Sequence, residues 1–138
     1  MKLLVLLATL SLSAFAGGLY LEITPATSGQ LVTARVTACH EPAKSVVTAH
    51  LVTVSDGKLH RQPVVVTPVS GQAGVFAVAG PLPQEHGILE LAVTNPEFKN
   101  YEPKVLIRTD AGKVQIASKK HFFSVGPVLA DYRQVLGD

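Results

Sequence analysis

A chain of 138 residues with 47% apolar and 16% charged content and a formal charge of +2 is neither a disordered segment nor a polycation. Val, Leu, Ile and Ala are too abundant for a chain that cannot fill a core, and the net charge is too small to mark a nucleic-acid or anionic-membrane surface. The length suits one domain of ordinary size.

Met1–Ala16 reads as an export signal. Lys2 supplies the positive start, Leu3–Leu12 an apolar run, and Ala14-Phe15-Ala16 the small-x-small pattern of a cleavage site. The run is too short to cross a bilayer, so a retained anchor is the weaker reading. No lipobox cysteine follows, since Gly17-Gly18 stands there. Cleavage would leave residues 17–138, a single domain of charge +1, secreted or periplasmic. No second apolar run suggests membrane insertion. Cys39 is the only cysteine, so no internal disulfide supports the fold, and the core must carry it. A lone thiol of this kind usually packs as a small hydrophobe; in an exported chain it also opens the option of a Cys39-linked dimer.

The strands follow in order. Leu19–Thr24 is short and alternating, and ends at Pro25. In Leu31–Cys39, Val32, Ala34, Val36 and Ala38 alternate with Thr33, Arg35 and Thr37, the pattern of a strand with one wet face. Two β-branched runs then flank Asp56-Gly57, a strong hairpin signal. A two-residue loop there sets Val54 against Leu59, Thr53 against His60 and His50 against Pro63. It places Val47, Ala49, Leu51, Val64 and Val66 on the core face and sends His50 and His60 to opposite faces, so the two histidines make no common site. Pro63 and Pro68 predict that the second arm is an edge strand or leaves the sheet early.

Val75–Ala79 is a short apolar strand. Ile88–Thr94 carries Leu89, Leu91 and Val93 on one face and Glu90 on the other. Asn95–Pro103 is turn-rich. Val105–Thr109 and Val114–Ser118 flank Asp110-Ala111-Gly112-Lys113 as a second hairpin, and His121–Val125 follows as a further strand or a continuation. Val128, Leu129, Tyr132, Val135 and Leu136 recur at helical spacing, which predicts a short terminal helix packed on the sheets or docked into a partner. Seven to nine short strands with regular turn signals argue for an antiparallel β-sandwich.

Thr24-Pro25, Gly29, the alternating Leu31–Cys39, the central hairpin and Gly74-Val75-Phe76 together resemble secreted immunoglobulin-like modules. The resemblance covers Ile23 to Gly80 and implies an immunoglobulin-like sandwich with a binding or structural role and no catalytic residue. The chain departs from antibody-type domains in having no tryptophan and no cysteine pair.

No serine sits in a Gly-x-Ser-x-Gly elbow, and no Gly-x-Gly-x-x-Gly or Walker-type loop is present. Glu85, Glu90, Glu97 and Glu102 read as loop or surface carboxylates. Cys39-His40-Glu41 sets a soft, an intermediate and a hard ligand side by side, so a metal site using Cys39 and His40 is the chemical alternative, although no His-x-His or Cys-x-x-Cys spacing supports it. The reading favoured by the sequence is an exported, non-catalytic binding or structural module without a cofactor. Its partner would be a protein or a glycan, met through loops or sheet edges, with Phe98, Tyr101, Tyr132 and Leu136 as candidate contacts.

Overall fold

The computed structural model describes residues 18–27, 29–37 and 39–137, so the expected export signal, Met1–Ala16, lies outside the described residues, as does Ala38. The chain runs through β1 (Tyr20–Pro25), β2 (Val32–Thr37), β3 (Val46–Ser55), β4 (Lys58–Pro68), β5 (Val75–Ala79), β6 (Gly87–Thr94), β7 (Lys104–Asp110), β8 (Lys113–Val114) and β9 (Lys120–Phe122), then the helix α1 (Leu129–Leu136). Every pairing is antiparallel. The strand order is β1-β2-β5-β4-β3-β6-β7-β8, with β9 also on β7, and the sheet is curled into a half-barrel.

The central hairpin has the register expected from its loop: Val54 opposes Leu59, Thr53 opposes His60 and His50 opposes Pro63. Asp56 and Gly57 both have positive φ, 53° and 70°, the condition for the tight turn whose twist matches that of its strands. Ala111 and Gly112 do the same between β7 and β8, at 51° and 77°.

β4 is not a simple edge strand. Lys58–Val64 pair with β3, and Val65–Pro68 pair with β5 on the other flank. The strand therefore crosses from one half of the sheet to the other, and neither Pro63 nor Pro68 sits where both flanks are occupied. This crossing curls the sheet. Leu21, Val32, Ala34 and Val78 from one half meet Val47, Leu89, Leu91 and Ile107 from the other in a single core.

The expected strand Val114–Ser118 is cut short. Only Lys113 and Val114 pair, and a 3-10 turn follows at Ile116–Ser118. There the Ser118 hydroxyl donates to the Gln115 carbonyl (2.7 Å) and accepts from the Arg108 N–H (2.8 Å), so a side chain replaces the ladder bond that a longer strand would supply. β9 likewise stops at Phe122 rather than Val125.

The terminal helix forms where the periodicity places it. The Asp131 carboxylate accepts the N–H of Val128 at its start (2.8 Å), and Gly137 ends it in the left-handed conformation, donating to the Arg133 and Gln134 carbonyls. Tyr132 and Val135 are its buried face. They cover Val52, Ile88 and Leu106, which point out of the barrel from β3, β6 and β7. The helix is held by tertiary packing, as eight residues require.

Candidate functional site

Glu90 is the polar centre beneath the helix. It stands in mid-β6 between His50 of β3 and Leu106 of β7, on the outer face. Outer-face strand carboxylates are normally wet, but α1 covers this one, leaving 3% exposure rather than the surface setting expected from sequence. Arg61, two residues along β4 from Pro63, the partner of His50, donates through Nε to Oε1 (3.0 Å) and through Nη2 to Oε2 (3.4 Å). The Tyr132 hydroxyl donates to Oε2 and accepts from Arg61 Nη2 (2.9 Å), and the guanidinium lies 5.8 Å from the Tyr132 ring centre.

Burial pushes the Glu90 carboxyl up, but hydrogen bonds from Arg61 and Tyr132 outweigh it and hold the group below the usual carboxylate range. The Arg61 guanidinium is raised, chiefly by its bond to Glu90. Burial and the Glu90 carboxylate raise the Tyr132 phenol to about 12. Near neutral pH this trio neither takes up nor releases a proton. It ties three elements together: β4, β6 and α1.

The candidate contacts are distributed as follows. Tyr132 is buried in this trio and Leu136 packs half-buried beside it. Phe98 and Tyr101 lie half-buried at one end of the barrel, their ring centres 6.1 Å apart and tilted by 50°, both against the main core. Their loop borders a shallow groove of about 600 Å³ together with Lys44, Val46, Pro96 and Lys99. Asn95 fixes that loop. Its Nδ2 donates to Ser45 Oγ (2.9 Å) and the Glu41 carbonyl (3.1 Å), and its Oδ1 accepts from the Glu97 N–H (3.0 Å).

Cys39 and His40 turn to different partners. Cys39 is half-buried near Asn95, 3.9 Å from Sγ to Nδ2, and burial, then the Glu97 charge, raises its thiol. His40 is exposed and pairs with Glu97, 3.1 Å from Nδ1 to Oε2. Among the described residues no group of three or more His, Cys, Asp or Glu gathers as metal ligands do.

One cluster escaped the sequence reading. The curl brings β1 and β9, at opposite ends of the strand order, side by side, and Tyr20, His121 and Phe123 meet across that seam. Their ring centres are 4.9 Å (Tyr20–His121), 5.9 Å (His121–Phe123) and 6.1 Å (Tyr20–Phe123) apart, with interplanar angles of 14°, 9° and 20°. The Tyr20 hydroxyl lies 3.4 Å from His121 Nε2. Phe123 remains 45% exposed, and Val125 and Val128 of the segment leading to α1 are 77% and 60% exposed. The sequence signal was the alternation of His121 and Phe123 on one face of a short strand; its partner, Tyr20, lies too far away in the chain for any local pattern to reveal.

No family model, curated protein or solved structure matches the chain.

Proposed function

We propose that the chain is an exported, non-catalytic binding or structural module of immunoglobulin-like topology, acting on a protein or glycan partner through its loops and sheet edges. The topological part is supported by the strand order. β1, β2, β5 and the second half of β4 form one half-sheet, and β3, β6 and β7 form the centre of the other. In chain order this parallels the A-B-E-D and C-F-G arrangement of a seven-strand immunoglobulin domain, except that β4 serves both halves of one curled sheet. Topology alone names no activity.

The observation that carries the binding role is the exposed run at the seam. Phe123, Val125 and Val128 stay in water within six residues, beside two further half-buried rings. Three large apolar side chains left wet in one short segment support a contact role for it. The Arg61–Glu90–Tyr132 trio serves the fold rather than a reaction, because neither acid exchanges its proton in the neutral range.

Side-chain footprinting tests the reading. The protein is labelled by hydroxyl radicals in the crude fraction that contains it and again after purification. Protection of Phe123, Val125, Phe98 or Tyr101 in the crude fraction is expected; identical labelling of all four in both samples would refute the module.

A further inference from the structure

The terminal helix is well seated, and its tether is not. Tyr132 and Val135 of α1 are buried on Val52, Ile88 and Leu106, and the Tyr132 hydroxyl donates to Glu90. Lys120 of β9 adds a bond from Nζ to Gln134 Oε1 (2.6 Å) and an ion pair with Asp131 Oδ1 (3.7 Å). The helix therefore doubles back on the strand that has just led into it. Residues 123–128, which make this reversal, are held by little. Phe123, Val125 and Val128 stay wet, and a Cβ on Gly126 would meet nothing within 4 Å. Among the described residues, no turn or loop hydrogen bond of the backbone ties residues 123–127. His121, Phe123 and Val125 alternate as a strand does, yet β9 ends at Phe122 and the chain bends from 123 to 125.

We propose that α1 is an exchangeable element: residues 123–128 open, and each helix takes the seat on a second copy of the chain, giving a domain-swapped dimer. This goes beyond the binding-module reading, since it needs no other molecule. The sheet partners of α1 are Glu90, Arg61, Lys120, Val52, Ile88 and Leu106, and none of them belongs to the tether. A helix from a second copy therefore finds the same contacts in the same seat, and the latch closes between copies as it does within one. What differs between the two forms is the tether. In the monomer it bends, with its apolar side chains in water. In the dimer it runs straight on from β9 for about 20 Å, and the strand pattern of His121, Phe123 and Val125 is used. Two such segments about a two-fold axis lie antiparallel, so each covers the other's Phe123 and Val125. The segment Phe-Ser-Val-Gly-Pro-Val carries no charge, so nothing in it repels its own copy. Short reversing tethers are where exchange of this kind begins, because opening them relieves the reversal without losing the seat.

The purified protein is unfolded in urea, refolded at about 10 µM and at about 1 mM, and sized by light scattering after gel filtration. A dimer prominent only at the higher concentration is expected. To place the helix, chains with ¹³C-labelled methyl groups and unlabelled chains are refolded together, and nuclear Overhauser effects are filtered for contacts between copies. In the dimer, the Tyr132 ring of one copy should lie on the Ile88 and Leu106 methyls of the other. Deleting Val125 and Gly126 leaves the tether too short to turn back but long enough to reach a second copy, and should tighten the dimer about a hundredfold. Should the shortened chain fail to fold, the filtered contacts of the wild type decide alone. Monomer at both concentrations, a dimer whose Tyr132 contacts stay within each copy, or a folded deletion variant that remains monomeric would overturn the inference. Footprint protection at Phe123 in the crude fraction, beside a wild type that is monomeric throughout, would overturn the exchange while leaving the module reading intact.

Discussion

Removing the Tyr132 hydroxyl alone, by Tyr132→Phe, separates the polar latch from the packing of the helix. The ring stays on Val52, Ile88 and Leu106, and Glu90 keeps Arg61, but Glu90 Oε2 loses its phenol donor and Arg61 Nη2 loses an acceptor. A hydrogen bond to an ionised acceptor contributes about 1.5–3 kcal/mol, so at pH 7 the urea midpoint should fall by about 1 M for an m-value near 2 kcal/mol per molar. The alkaline limb supplies the sharper signature. The Tyr132 phenol is raised to about 12 when folded, against 10.0 ordinarily, so the folded state holds its proton more tightly than the unfolded state does. The stability this contributes is complete below pH 10 and drains away as pH rises toward 12; by pH 11 the wild type should have lost about 1.4 kcal/mol by this route. Tyr132→Phe has no such proton to lose. Urea midpoints followed by circular dichroism at pH 7, 9, 10 and 11 should therefore start apart and converge. Parallel curves across that range would refute the latch.

Glu90→Gln keeps the shape but leaves Arg61 without its counter-charge, and should cost about 1–3 kcal/mol by urea melt at pH 7. Because the Glu90 carboxyl is held below its ordinary range, its contribution is present above the unfolded value and is lost as pH falls through the lowered one; the variant should show a flatter acid limb between pH 5 and pH 2, read from the same melts. Gly74→Ala should lower the melting temperature by several degrees, since a Cβ there would lie 2.6 Å from the Pro42 Cβ at a φ of +77°. Ala111→Gly should act in the opposite direction, stabilising by up to about 1 kcal/mol in a urea melt, because Ala111 is held at a φ of 51° that glycine adopts freely. Asn95→Ala should cost about 1–3 kcal/mol, leaving Ser45 and the Glu41 carbonyl unpaired, and should raise hydrogen exchange in the 95–102 loop.

The parts of the fold readable from sequence were those settled by neighbours in the chain. Asp56-Gly57 could take positive φ at both turn positions, and that single fact carried the whole β3–β4 register, including the separation of His50 from His60. The helix was readable because Tyr132 and Val135 repeat at its period and Gly137 stops it. The prolines of β4 pointed to a strand that leaves its first partner early, as it does after Val64, but they could not show that it then takes β5 as a second neighbour. In the curled sheet each half has its own, and a proline in either half meets only one. Ser118 likewise shortened β8 through its hydroxyl, a competition between side chain and ladder that strand periodicity does not register.

The site was harder to read for a physical reason that the two clusters share. Glu90 sits at a position that alternation assigns to water, and it is dry only because a helix about forty residues later lies over it; its pairing with Arg61 and Tyr132 joins three elements with no common local pattern. Tyr20 and His121 stand on strands at opposite ends of the pairing order, and only the curl imposed by β4 makes them neighbours. In both cases the chemistry belongs to the closure of the sheet rather than to any segment. It follows that the two clusters should be separable. The latch fixes α1 to the outer face of β6 and β7, the rings join β1 to β9, and the tie between the two is Lys120 of β9, whose Nζ donates to Gln134 Oε1 (2.6 Å) and pairs with Asp131 Oδ1 (3.7 Å) on α1 without touching either Tyr132 or the stacked rings. Phe123→Ala should therefore leave the alkaline limb of Tyr132 unchanged, and Tyr132→Phe should leave the aromatic resonances of His121 in place. Substitutions that share no partner ordinarily add in stability to within about 0.5 kcal/mol. A double variant whose urea midpoint departs from that sum by more would mean that helix and seam open as one unit, coupled through Lys120 and its partners on α1.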